Sequence, residues 1–233
     1  MGSTQIVPPL LYRDALMLVI DKPAGIAVHP GPGGGPNLTA SLEGLRFGLP
    51  RRPEVAHRLD KDTSGCLVLG RHRQALIRLG KLFASSKVEK TYWAVVVGGP
   101  ETDEGEIDLP LAPRSPDPAN WLMKVDPAGQ ASLTTWRVLG RADGQTWLEL
   151  RPVTGRTHQL RVHCAAQGWP ILGDAAYGSG SGRGGPRLHL HARSITLPLY
   201  PKKPPIHVEA PPPAHMAERL AMLGEGPPMQ NPG

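Results

Sequence analysis

A chain of 233 residues with a hydrophobic fraction of 39% can bury a sizeable core and is too long for a small scaffold stapled by disulfides or metals. Its 28 glycines and 27 prolines make up roughly a quarter of the residues, near the level at which low complexity sets in. The net charge of +6 favours an acidic partner such as nucleic acid.

The glycines and prolines are concentrated in Pro30–Pro36, Gly178–Pro186, Pro198–Pro213 and the last seven residues, which read as loops and a tail. Between them the patterns are regular. Leu16–Asp21 predicts a strand ending in a turn over Lys22–Gly25, and Leu67–Leu69 predicts a second strand. Ala75, Leu76, Leu79, Leu82 and Phe83 recur at helical spacing, followed by a β-rich run from Lys90 to Val97. Thr134–Leu139 and Thr146–Leu150 flank Asp143-Gly144, a strong hairpin signal. Thr157–Gln167 predicts a helix stopped by Gly168 and starting near Thr154–Thr157, with His158 and Arg161 on one face. Leu188–Leu197 predicts a strand, and Met216, Leu220 and Leu223 a helix before Gly224. The class is mixed α/β (α+β) with much antiparallel sheet.

Two cysteines, Cys66 and Cys164, are too few for a disulfide framework and lack metal-ligand spacing, which suits a reducing cytoplasm. No basic segment followed by an apolar core opens the chain, and no stretch approaches the ~18 uninterrupted apolar residues of a membrane helix. A soluble, unexported protein without a membrane partner is expected.

Two polar clusters carry the chemistry. His57-Arg58-Leu59-Asp60-Lys61-Asp62-Thr63-Ser64-Gly65 precedes an apolar strand. A carboxylate held by local hydrogen bonds beside Arg and Lys stays ionised and aimed, as a nucleophile or base requires, although the same residues also read as an Asx-turn or ion-paired loop. Thr154 to His163 (TGRTHQLRVH) crowds two arginines and two histidines, Arg156, His158, Arg161 and His163, at a helix start. That arrangement suits an anionic group or a capped, solvated helix end. His158 and His163 are spaced like zinc ligands, but no Cys or carboxylate cluster accompanies them, so no metal is expected.

With these motifs the chain resembles the RluA-type RNA pseudouridine synthases. HRLDKDTSG resembles the family's catalytic motif and TGRTHQLRVH its second signature. Further matches follow in the same order: Asp21–Gly25, Val28–Gly31, Lys90-Thr91-Tyr92 with Ala94, Gly173-Asp174 with Tyr177-Gly178, and Leu188–Ala192. They span about residues 12 to 210. The resemblance implies the pseudouridine synthase fold, a long, bent, mainly antiparallel sheet with flanking helices and a central active-site cleft. It implies one catalytic domain over 12–224, between an N-terminal extension over 1–11 and a disordered tail over 225–233. The implied reaction isomerises uridine in RNA to pseudouridine, with no cofactor and no metal, in a monomer acting on a ribosomal or transfer RNA stem-loop.

The resemblance also assigns residues. Asp60 matches the catalytic aspartate, Tyr92 the active-site tyrosine that stacks on the uracil ring, and Arg161 the basic residue that pairs with the aspartate. Arg58 matches an arginine that enters the RNA stack where the target base has left, and His57 beside it is an RNA contact or a structural hydrogen-bonding group. Arg156 and His158 are expected to touch RNA. Asp62 is expected to be structural or a rim charge, and Arg51-Arg52, Arg71-His72-Arg73 and Lys202-Lys203 are candidates for phosphate contacts. Two other classes compete: a catalytically silent RNA-binding protein of the same fold, and a hydrolase, which would want a second carboxylate or a metal.

Overall fold

The computed structural model of the protein describes residues 7–30, 37–117, 120–178 and 185–224. In chain order it comprises β1 (Leu10–Arg13), β2 (Met17–Lys22), a 3-10 helix (Leu38–Leu45), β3 (Glu54–Val55), β4 (Ser64–Gly70), α1 (Arg73–Ala84), β5 (Glu89–Val97), β6 (Glu104–Asp108), β7 (Leu111–Pro113) and β8 (Met123–Val125). β9 (Leu133–Ala142), β10 (Gln145–Pro152), α2 (Gln159–Ala166), β11 (Leu190–Leu197), β12 (Ile206–Glu209) and α3 (Ala214–Leu223) complete it. The architecture is therefore mixed α/β, with mainly antiparallel strands and three α-helices. The chain forms two compact units, Met1–Thr91 with His191–Pro211, and Tyr92–Leu190 with Pro212–Gly233.

In the first unit the strands lie in the order β1-β2-β4-β11, with β3 beside β4 and β12 beside β11. The pairs are antiparallel except β4 with β11, which is parallel. Every residue of β4 is buried, the continuous burial expected of a strand covered on both faces. Gly65, the second residue of this strand, is at φ 105, where a Cβ would lie 2.3 Å from the Ala192 carbonyl oxygen, so only glycine fits beside β11. One residue earlier, Ser64 Oγ lies 2.8 Å from His191 Nδ1. His191 Nε2 donates to the Ala210 carbonyl at 3.1 Å, so Nδ1 accepts the Ser64 hydroxyl. His72 caps α1 by accepting from Ala75 N–H. The helix then buries Ala75 and Leu79, with Leu82 and Phe83 packed on a core of Met17, Val19, Val68 and Ile195.

In the second unit the order is β5-β10-β9-β6, all antiparallel. The β9–β10 hairpin turns on Asp143 and Gly144 at φ 50 and φ 69, the type I′ geometry that Asp-Gly favours. α2 buries Leu160 and Cys164 against Ala94, Leu148 and Leu150. α3 buries Met216, Leu220 and Leu223 against Trp93 and Trp147, whose rings meet edge to face at 4.8 Å.

Two expectations are corrected. Pro198–Pro213 is not loop throughout: β12 forms within it because β11 supplies a partner, pairing Ser194 with Glu209, a long-range gain no local composition displays. The second helix begins at Gln159, not near Thr154–Thr157, because His158 is left-handed at φ 52. Gly168 ends it at φ 82 as expected. Most of the predicted glycine-rich loops and the whole tail (31–36, 179–184, 225–233) lie outside the described residues.

Candidate active site

The first unit carries the HRLDKDTSG segment as a loop that enters β4. Side chains alternate along it: His57 points inward, Arg58 is exposed, Leu59 is buried and Asp60 is half-buried. Val68 N–H donates to His57 Nε2 at 3.0 Å, and the imidazole packs on Phe83 with ring centroids 4.6 Å apart. Burial, with the nearby Lys90 charge, pushes the His57 pKa down to about 4, so the ring stays neutral and pins the loop to its own strand. Thr63 N–H closes a turn on the Asp60 carbonyl at 3.2 Å. Asp62 is exposed.

A residue given no role by its sequence context holds this loop from below. Lys22, at the end of β2, is fully buried. Its ammonium donates to the carbonyls of Pro23, Ile26 and Lys61 at 2.9, 2.9 and 3.0 Å, matching its three N–H bonds to three acceptors. The Lys61 carbonyl also accepts from Gly25 N–H at 2.9 Å. The turn after β2 is thus tied to the residue that follows Asp60. Burial lowers the Lys22 pKa to about 8 despite the charges of Asp62, Asp60 and Asp21. Burial also raises Asp21 to about 6, against a hydrogen bond from Gly65 N–H and the Lys22 charge.

The second unit carries the other named side chains. Tyr92 lies on β5 opposite Leu150, half-buried against the core that contains Leu160. Arg161, on α2, forms a fork with Asp174: Nε to Oδ2 and Nη2 to Oδ1, both 2.8 Å. The rest of its five N–H donors lie outside that fork. Asp174 also accepts from Ala176 and Tyr177 N–H at 2.9 and 3.1 Å. Burial would raise this carboxyl, but Arg161 and the two N–H groups outweigh it and hold the pKa below its ordinary value.

His158 and Arg161 converge on Tyr177 rather than along one helix face. His158 Nδ1 is 2.8 Å from the Tyr177 hydroxyl, and the Arg161 guanidinium lies 5.1 Å from the ring centroid. The same hydroxyl accepts from Met123 N–H at 2.9 Å. Gln159 turns back and accepts from Arg156 N–H and Thr154 Oγ1 at 3.0 and 2.8 Å, so donors near the α2 start are satisfied within the chain. Arg156 is exposed, with Nε donating to the Ala131 carbonyl at 3.2 Å. His163 is buried between Thr134 Oγ1 and the Leu109 carbonyl, each at 3.0 Å, a structural place for both ring nitrogens. Among the described residues no group of three His, Cys, Asp or Glu is placed to hold a metal. No helix there is long and apolar enough to cross a membrane. Arg71 and His72, expected at phosphates, instead bond to carbonyls and cap α1.

Residues 16–166, more than half of the chain, match the family model described as RNA pseudouridylate synthase. An uncharacterized RNA pseudouridine synthase of Zymomonas mobilis is 44% identical over 203 residues, covering 87% of this chain and 92% of that protein. Ribosomal large subunit pseudouridine synthase C of Vibrio cholerae is 36% identical over 224 residues, covering 92% and 69% respectively. Among solved structures, human RNA pseudouridylate synthase domain containing 4 superposes with a TM-score of 0.75 at 29% identity, covering 91% of this chain and 92% of that one. With the HRLDKDTSG loop, Tyr92 and the Arg161 fork present, the chain belongs to the RluA-type family of RNA pseudouridine synthases, isomerases that convert uridine to pseudouridine in RNA.

Proposed function

We propose that Asp60 is the catalytic residue and that the substrate is a uridine flipped out of a structured ribosomal or transfer RNA. The observation that carries this reading is the treatment of the Asp60 loop. His57 accepts from Val68 N–H and Leu59 is buried on one side, and the Lys61 carbonyl takes two hydrogen bonds on the other, so the intervening carboxylate is held in place while Arg58 projects outward. Rigid placement of a reacting carboxylate contributes by orientation and by stabilising charge on the sugar. In the isomerisation the N1–C1′ bond breaks, the base turns, and a C5–C1′ bond forms; C5 then loses its proton and N1 gains one. Asp60 serves as nucleophile at the sugar or as the base that takes a sugar proton after glycosidic cleavage.

In this assignment Tyr92 stacks on the uracil and assists proton loss at C5, and Arg161, oriented by Asp174, serves as the basic active-site residue. Arg58 fills the space left in the RNA stack, offsetting part of the few kcal/mol that extrusion costs. Arg156 and His158 contact the RNA, and His57 acts through the placement of Arg58. Residues 12–224 act as one catalytic domain, working as a monomer in the cytoplasm; the buried free thiols Cys66 and Cys164 and the bacterial relatives support that compartment.

The test measures pseudouridine in RNA from a deletion strain rescued with wild type or Asp60→Asn. Wild type restores pseudouridine at defined sites, whereas the Asn variant binds RNA and restores none. Full restoration by Asp60→Asn would overturn the assignment of Asp60. Unchanged pseudouridine on deletion would overturn the choice of RNA.

A further inference from the structure

One surface of the first unit is built at a cost that the catalytic loop does not explain. The 3-10 helix ends at Arg46 in right-handed geometry, and the next residue, Phe47, adopts φ 44 before Gly48 at φ 83. A bulky side chain in the left-handed region is a true outlier, and such strain persists only where surrounding contacts enforce it. Yet Phe47 is 39% exposed, so the strain does not serve to fill a core.

Leu49 N–H closes the turn on the Arg46 carbonyl at 3.1 Å, and arginines surround it. Arg71, just past the end of β4, donates Nη2 to the Phe47 carbonyl at 3.3 Å and Nη1 to the Asp14 carbonyl at 2.6 Å. Its Nε is buried with no acceptor among the described residues. Arg13, on β1, sets its guanidinium 4.5 Å from the Phe47 ring centroid. Arg46 and Arg51 are exposed beside the turn. Acidic residues beside them are Glu43, 2.5 Å from Arg46, and Asp14, whose carboxylate accepts from Leu16 and Met17 N–H. The patch is therefore net cationic around one presented aromatic ring. It sits at the far end of β4 from the catalytic turn: the 7 residues of that strand, at about 3.3 Å each, separate the two ends by roughly 20 Å.

We propose that Phe47 and Arg13 form a second RNA contact, a pad on which an unpaired base flanking the target stacks while Arg13 and Arg46 meet its phosphates. A planar ring beside a guanidinium, in a positive field, is the chemistry that holds single-stranded RNA without reading its sequence. The proposal rests on RNA as substrate and extends its footprint beyond the Asp60 loop.

The test uses the full chain and a fluorescein-labelled single-stranded oligouridine, with thermal unfolding in parallel. Phe47→Gly removes the ring and suits the backbone angle, so the variant melts at or above the wild-type temperature while binding the oligonucleotide at least about fivefold more weakly. Arg13→Ala flattens the dependence of log affinity on log salt by about 0.7. Wild-type affinity in Phe47→Gly, a lowered melting temperature in that variant, or an unchanged salt slope in Arg13→Ala would each overturn the pad. Because these readouts are binding and stability, they fail independently of Asp60: an intact pad in a protein that makes no pseudouridine would count against the catalytic assignment alone.

Discussion

Arg161 and Asp174 meet as a two-point fork, 2.8 Å at each contact, with the Asp174 carboxylate wholly buried and Arg161 only 11% exposed. Truncating one partner of such a pair leaves the other charge buried and uncompensated. Asp174→Ala is therefore expected to lower unfolding free energy by about 3 kcal/mol and to reduce pseudouridine formation, since the guanidinium loses its orientation. Urea denaturation of the pure protein measures the first effect; a loss below about 1 kcal/mol would place the pair among weak surface bridges.

Lys22 supports the catalytic loop through three carbonyls. Lys22→Met strands all three, at about 3 kcal/mol in total, and is expected to depress the turnover rate more than RNA affinity. The pH behaviour has two signs. With its folded pKa near 8, the unfolded chain binds more protons between about pH 8 and the ordinary lysine value near 10.4, so this group's contribution to stability rises with pH there. The neutral amine, however, donates one bond fewer, so turnover falls above about pH 8 while the fold persists. Parallel rate and circular-dichroism measurements across that range check the pairing of these trends.

His57 provides an acid-side signature. Its folded pKa near 4 lies below the ordinary value of 6.5, because burial and Lys90 disfavour the charged ring. Between those values the unfolded chain binds the extra proton, so stability is lost as pH falls from 6.5 towards 4. His57→Gln, which keeps an acceptor for Val68 N–H and does not titrate, is expected to lose less stability over that interval. Identical slopes for the two proteins would remove His57 as the titrating group.

Tyr177 joins three segments through one hydroxyl, which reaches both His158 and Met123 N–H. Tyr177→Phe keeps the ring near Arg161 but strands those groups, so a loss of about 1 to 2 kcal/mol is expected, with faster amide exchange at Met123. Wild-type protection at Met123 would show that the β7–β8 hairpin is held by other contacts.

Much of the fold is local enough to be legible before any coordinates. Asp143-Gly144 encodes its hairpin because both residues tolerate positive φ; Met216, Leu220 and Leu223 encode the buried stripe of α3 through helical spacing; and the order of motifs around Asp60 and Arg161 identifies the family. The partner relations were not legible. Lys22 sits in an ordinary Asp-Lys-Pro turn, and only folding shows its ammonium buried against Lys61, 39 positions away. β12 is hidden in a proline-rich stretch because its stability comes from β11, and α2 starts late because His158 is left-handed in the folded chain.

The glycine and proline excess and the +6 charge acquire meaning in the same way. By itself the sequence determined chemistry and order: which residue types stand in which motif, where the chain turns, and that an acidic partner is favoured. Tertiary structure decided which of those groups are held, buried or presented. Asp174 grips Arg161, His57 is kept neutral, and Phe47 is strained into the open among arginines. The reason is physical: propensity and turn geometry act over a few residues, whereas desolvation, ion pairing and backbone strain depend on neighbours that only the folded chain brings within reach.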